Sequence, residues 1–207
     1  MNYRLIDLSH TFAPKMPVWP GDTDPQFTQK ATLDNDGYNG QLIKTSLHVG
    51  THIDAPIHMI SGGRRLSEIP VERFCGRGLL IDARGKSEID LPLLNNVPQG
   101  EIMLVCTAWS KKFGVKEYYE KFPQVTKGFA QRLVDLKIKL LGLDTPSPDF
   151  DPFEIHKLLL QKEILIIENM TNLESLIRMD DFEIFAFPIK LEADGAPVRV
   201  VAKVALP

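Results

Sequence analysis

The chain reads as a mixed α/β domain built around a central sheet. Apolar, β-branched runs of strand length outnumber helical patterns by about two to one. No regular β-α-β-α alternation runs along the chain. No G-x-G-x-x-G follows a predicted strand and no G-x-x-x-x-G-K-[ST] loop occurs, which excludes a Rossmann or P-loop nucleotide fold. The 15 prolines and 14 glycines are spread evenly, as short loops between short elements require. With no linker or repeat to divide it, residues 1–207 are read as a single domain.

The strand-like runs fall at 4–9, 41–48, 78–83, 102–107, 139–143, 164–170, 182–190 and 198–204. Helical periodicity is best over 128–137, where Phe129, Leu133, Val134 and Leu136 gather on one side and Thr126 stands where an N-cap is wanted. A second helix is predicted over 152–161, with Pro152 in its first turn and Asp151 as its cap. Shorter helical turns are predicted over 70–74 and 115–121.

Hydrophobic residues make up 43% and charged residues 25%, the balance of a soluble globular chain rather than a disordered one. The net charge is −3 and no basic stripe occurs, which argues against a nucleic-acid or membrane-surface partner. The first residues lack the apolar core of a signal peptide, and no apolar run approaches the roughly 20 residues of a membrane span. Cys75 and Cys106 fit no metal spacing and form no disulfide framework, so a reducing cytoplasm is expected and both are read as plain buried thiols.

The five histidines are unevenly placed, three of them falling in His48-Val49-Gly50-Thr51-His52-Ile53-Asp54-Ala55-Pro56-Ile57-His58. Were this stretch fully extended, His48 and His52 would stand about 13 Å apart, too far to share one ion. The chain must therefore coil after His48, and Gly50 supplies the freedom. A single helical turn, rising about 6 Å over four residues, would bring both rings within reach of one metal. Pro56 would keep Ala55 out of helical geometry and end the turn. Nitrogen and oxygen donors of this kind suit Zn²⁺, Mn²⁺ or Fe²⁺. Glu168 ends a strand that otherwise looks buried, where a carboxylate costs several kcal/mol unless a cation or donors meet it. His156, placed toward the C-terminal end of the second helix, is the natural companion.

His48 to His58 matches, position for position, the H-x-G-T-H-x-D-x-P-x-H signature of the cyclase family of metal-dependent hydrolases, whose best-known member is bacterial kynurenine formamidase. Ile6-Asp7-Leu8-Ser9, Pro17-Val18-Trp19-Pro20-Gly21-Asp22, Leu143-Asp144-Thr145-Pro146-Ser147 and Ile167-Glu168-Asn169 resemble further family landmarks in family order, so the likeness covers nearly the whole chain. The resemblance implies a swivelling β/β/α fold and a two-metal site of Zn or Mn. By it, His48, His52 and Asp54 hold one ion, and Asp54 bridges to a second held by His156 and Glu168. His58 stands as general acid/base and Trp19 lines the substrate pocket. It also implies a homodimer in which the segment bearing Trp19 completes a neighbour's pocket.

The implied chemistry is hydrolysis of an amide, formamide or cyclic amide C–N bond by metal-activated water. The resemblance leaves the substrate open, since members cleave N-formylkynurenine, open rings such as isatin, or act on other carbonyl compounds. Trp109-Ser110-Lys111-Lys112-Phe113-Gly114-Val115 is more similar to the general cyclase type than to the kynurenine enzymes. Phe27 is a weaker candidate for substrate contact, Asp144 and Ser147 belong near the site or cap their loop, and His10 reads as a turn residue. Two other functions use the same residues. One is a mononuclear Fe²⁺ oxygenase with His48, His52 and Asp54 as its two-His-one-carboxylate triad; His58 and the His156/Glu168 pair speak against it. The other is a non-catalytic metal-binding module, for which the cysteine-rich sets of structural zinc are missing.

Overall fold

The computed structural model describes residues 2–95, 97 and 101–205. In chain order its strands are β1 (Tyr3–Asp7), β2 (Gln26–Ala31), β3 (Gly40–Lys44), β4 (His52–Asp54), β5 (Cys75–Asp82), β6 (Glu88–Ile89), β7 (Ile102–Cys106), β8 (Gln124–Val125), β9 (Leu140–Leu143), β10 (Leu165–Glu168), β11 (Phe182–Phe185), β12 (Gly195–Pro197) and β13 (Val201–Ala205). The helices are α1 (Leu33–Asp36), α2 (Lys127–Asp135) and α3 (Glu154–Gln161). Nine strands form one mixed sheet in the order β1-β13-β11-β5-β7-β9-β10-β4-β12. β5, β7, β9 and β10 run parallel at its centre, and both flanks are antiparallel.

β7, β9 and β10 are covered on both faces, as their near-continuous apolar sequences call for in parallel strands. Every residue of β7 and β9 is buried. The pleat divides β7 between two cores: Ile102, Leu104 and Cys106 join Ile53, Leu140, Leu165 and Ile167 on one face. Met103 and Val105 on the other face meet Phe129 and Leu133 of α2 and Leu159 and Leu160 of α3. Gly142 of β9 is small by necessity, since a Cβ there would lie 2.6 Å from both Leu104 Cδ2 and Met170 Sδ.

Thr126 caps α2 as its position predicts, its Oγ1 accepting from the Phe129 N–H at 3.3 Å and donating to Asp90 at 2.7 Å. The second helix differs from expectation. It begins at Glu154, Pro152 and Asp151 lie outside it, and Phe153 enters it in the left-handed region at φ 57°. His156 therefore sits in the first turn rather than near the C-terminus. The strand expected over 41–48 stops at Lys44, freeing the chain to bend before His48, and the one expected over 182–190 stops at Phe185, ahead of Pro188. β2, unpredicted, pairs with β3 in a separate exposed hairpin whose polar run Gln26-Phe27-Thr28-Gln29-Lys30 carries no burial pattern.

His10 is not a turn residue. Its ring lies flat on Phe113 with centroids 3.8 Å apart, and its Nε2 is buried without a hydrogen-bond partner. Burial pulls its pKa from 6.5 down to about 4. A histidine depressed in this way contributes stability that is whole above pH 6.5 and is lost as pH falls through about 4. His10→Phe keeps the stacked ring and removes the proton site. Urea unfolding across this window is expected to show the variant gaining stability relative to the parent as pH is lowered. Parallel pH curves would contradict the assignment.

Candidate metal centre

The site forms where β4 is held between β10 and β12 at the end of the sheet. Its register sets Glu168 opposite His52 and Ile166 opposite Asp54, so these four side chains share one face while Ile53 enters the core behind them. Glu168 is the last residue of parallel strand β10, and α3 packs on the same face with His156 in its first turn. This is the carboxyl end of parallel strands, where open α/β sheets build their sites.

Residues 47–51 form a bend rather than the helical turn expected from the spacing. Gly50 takes φ +63°, and a Cβ on it would stand 2.4 Å from Met16 Cε. The reversal still achieves what the spacing demands, since the His48 and His52 ring centroids are 5.1 Å apart. Long-range pairing of His52–Asp54 with strands on both sides overrides the local helical option. Ala55 is extended, as a residue before proline should be, but Pro56 opens a 3₁₀ turn that carries His58 instead of merely ending one.

Each imidazole is oriented by a second partner. The His52 Nδ1–H donates to the Gly50 carbonyl at 2.8 Å, leaving Nε2 toward the site. His156 Nδ1 meets Asp149 Oδ1 at 2.8 Å, while its Nε2 lies 3.0 Å from Glu168 Oε1 and 3.7 Å from Asp54 Oδ2. His48 Nδ1 is 2.8 Å from Asp54 Oδ1. His48 and His58 stack with centroids 4.0 Å apart, and each touches Asp194.

Asp54 and Glu168 are both buried, which disfavours their charged forms. The imidazoles of His52, His156 and His48 nevertheless hold Asp54 well below the usual carboxylate range. Asp149, Asp54 and Glu168 in turn raise His156 well above the usual imidazole value despite its burial. Among the described residues, four buried side-chain polar atoms have no hydrogen-bond partner. Three of them, His52 Nε2, Asp54 Oδ2 and Glu168 Oε1, face this one site, the 3.0 Å contact of Glu168 Oε1 with His156 Nε2 lying outside hydrogen-bonding geometry. Orphaned acceptors and an imidazole nitrogen converging in a buried place fit a divalent cation. Two sets each present one ligand atom per residue within 4.8 Å of one another: His48, Asp54 and His58, and His52, Asp54 and Glu168. Asp54 is common to both.

Trp19 lines the cavity beside these groups, edge-on to Tyr119 at 5.9 Å, with Phe153 also on its wall. The cavity it lines is that of its own chain. Phe27 packs against Phe12 and is not on the cavity wall. Asp144 lies behind the site, accepting from the Thr107 N–H and hydroxyl, whereas Ser147 reaches the cavity and donates to the Asp149 carbonyl at 2.7 Å. Cys106 is a buried thiol raised to about 12 by burial, and Cys75 is half-buried.

Sequence reasoning missed Asp149 and Asp194. Asp149, and not Asp151, serves α3: its Oδ2 accepts from the Ile155 N–H at 2.7 Å while Oδ1 holds His156. The signal was present, an acid shortly before a helix, but the neighbouring Asp151 competed for it. Asp194 carried no signal, being a loop acid next to a glycine.

The family described as Putative cyclase matches residues 6–150. Kynurenine formamidase from Bacillus cereus (strain ATCC 14579) is 32% identical over 208 residues, covering 96% of each chain. The enzyme of the same name from Bacillus mycoides (strain KBAB4) is 30% identical over 203 residues, again covering 96% of each. Isatin hydrolase A from Labrenzia aggregata superposes with a TM-score of 0.88 at 26% identity, covering 99% of this chain and 94% of that one, which bears out the expected cyclase-like α/β class. A family match over more than half the chain and full-length relatives at this identity agree with the site's residues: the chain belongs to the Putative cyclase family.

Proposed function

We propose that the chain hydrolyses the C–N bond of an aryl formamide or of a small aromatic cyclic amide, with metal ions held by His48, His52, Asp54, His156 and Glu168. It is a metal-dependent hydrolase of C–N bonds other than peptide bonds. The observation that carries the reading is the convergence of three unpartnered buried ligand atoms on the wall of an aromatic cavity.

His48, His52 and Asp54 are assigned to one ion, with Asp54 bridging to a second held by His156 and Glu168. Asp54 is common to both donor sets, which supports a bridging role, although those sets group His48 with His58 and His52 with Glu168. Nitrogen and carboxylate donors favour Zn²⁺ or Mn²⁺. Bound ions supply Lewis-acid polarisation of the carbonyl and a nucleophile from water at neutral pH. His58, on the cavity wall, takes the water's proton and returns it to the departing nitrogen. Trp19 and Tyr119 offer faces and edges to an aromatic substrate. A mononuclear iron centre would leave His156 and Glu168, both buried beside Asp54, without work. The reading extends to a cytoplasmic homodimer, for which the exposed Tyr38, Leu42 and Ile43 of the β2–β3 arm supply apolar surface.

Protein reloaded separately with Zn²⁺ and Mn²⁺ is expected to hydrolyse N-formylkynurenine or isatin, with activity abolished by chelator and restored by metal. Metal-loaded protein that leaves amides intact and consumes oxygen would overturn the reading. His58→Ala is expected to retain bound metal and lose about 10²–10⁴ in rate, whereas Asp54→Ala loses metal and activity together. Equal metal loss in the two variants would refute this division of roles. Asp149→Ala should weaken metal binding about 10–100-fold through His156, measured by calorimetric titration. It should also lower stability by about 1 kcal/mol through the lost cap, read from the urea midpoint.

A further inference from the structure

We propose that Asp194 is a positioning residue whose single carboxylate oxygen sets the tautomers of two imidazoles, those of His48 and His58. Its Oδ2 lies 3.0 Å from His48 Nε2 and 3.3 Å from His58 Nδ1. An ionised carboxylate only accepts, so both of those nitrogens carry the proton. The rings present different nitrogens to it, and that difference has a chemical meaning. With Nε2–H on Asp194, His48 turns its Nδ1 to Asp54 Oδ1, 2.8 Å away, a hydrogen bond in the metal-free chain whose proton a bound cation would replace. With Nδ1–H on the same oxygen, His58 keeps its Nε2 lone pair free to receive a proton. One acceptor thus makes one ring a ligand and its stacked neighbour a base.

The backbone is built to hold that oxygen in place. The Asp194 carbonyl accepts from the Ala55 N–H at 2.8 Å, and the next residue pairs with Asp54 as β12 joins β4. Gly195 lets this segment lie against the ring, since a Cβ there would come within 2.8 Å of both His48 Cε1 and the Ile53 carbonyl oxygen. The Asp194 side chain is 43% exposed, so its charge keeps its hydration and is retained without a buried counter-ion.

The inference rests on His58 being the acid/base of the proposed hydrolase, and its test separates the two ideas. Long-range ¹H–¹⁵N spectra of the Zn²⁺-loaded full chain read the tautomers without any substrate. The parent is expected to show His58 protonated at Nδ1 and bare at Nε2. Asp194→Ala should give a mixture, and Asp194→Asn, whose amide oxygen also accepts, should restore the parent pattern. In turnover, Asp194→Ala should lower kcat about 10–100-fold with KM within about threefold, and Asp194→Asn should recover most of the loss. In a His58→Ala background with saturating Zn²⁺, adding Asp194→Ala should change kcat less than about threefold. An unchanged His58 tautomer in Asp194→Ala, or losses that multiply in the double variant, would overturn the proposal. A parent that hydrolyses no amide would overturn the hydrolase reading and leave the spectra to decide the role of Asp194.

Discussion

Two carboxylates buried side by side set the terms for the rest of this structure. Asp54 and Glu168 are both almost fully buried, on neighbouring strands in the same sheet. Like charges so placed repel each other, and removal from water costs each of them several kcal/mol more. Nothing apolar can compensate them. The imidazoles of His52 and His156 can do so in part, by sharing protons with them, and a divalent cation can do so more fully. The surrounding architecture answers that constraint, with a three-residue strand clamped on both sides, a helix whose first turn delivers one imidazole, and a glycine bend that delivers another.

The sheet makes such an arrangement tolerable because its two faces are independently packed. β7 and β9 hold an apolar core on each side, and the polar cluster lies at the end of that layer. Strand pairing also removes freedom from the ligands. Ladders to β10 and β12 fix the backbone of His52 and Asp54, and the Ile53 between them is anchored in the core. Precision at the site thus comes from the paired backbone together with the hydrogen bonds that orient each imidazole.

Much of this was legible because the informative residues are scarce. Three of the chain's five histidines fall within one short stretch, and Glu168 breaks an apolar run where a carboxylate has no ordinary place. The central strands were legible as apolar, β-branched runs, but their order and parallel pairing were not. What escaped was set by partners distant in sequence. The path from His48 to His52 looked helical from spacing alone, but pairing with β10 and β12 draws His52–Asp54 into a strand. Asp151 was the expected cap, and only the fold shows that Asp149 instead accepts from the Ile155 N–H and also reaches His156. β2 offered nothing to read, because an exposed hairpin needs no apolar alternation.

The clamping of β4 between strands from later in the chain bears on when the site comes into being. β10 and β12, the two strands that flank it, lie far beyond it in sequence, so the site is complete only once both have paired with it. Contacts of such long range carry a loop-closure entropy that local contacts do not. A cation therefore finds no ready cradle in the nascent or collapsed chain. It binds only what is already close to native, and so acts as a lock on the finished fold rather than as a nucleus for it.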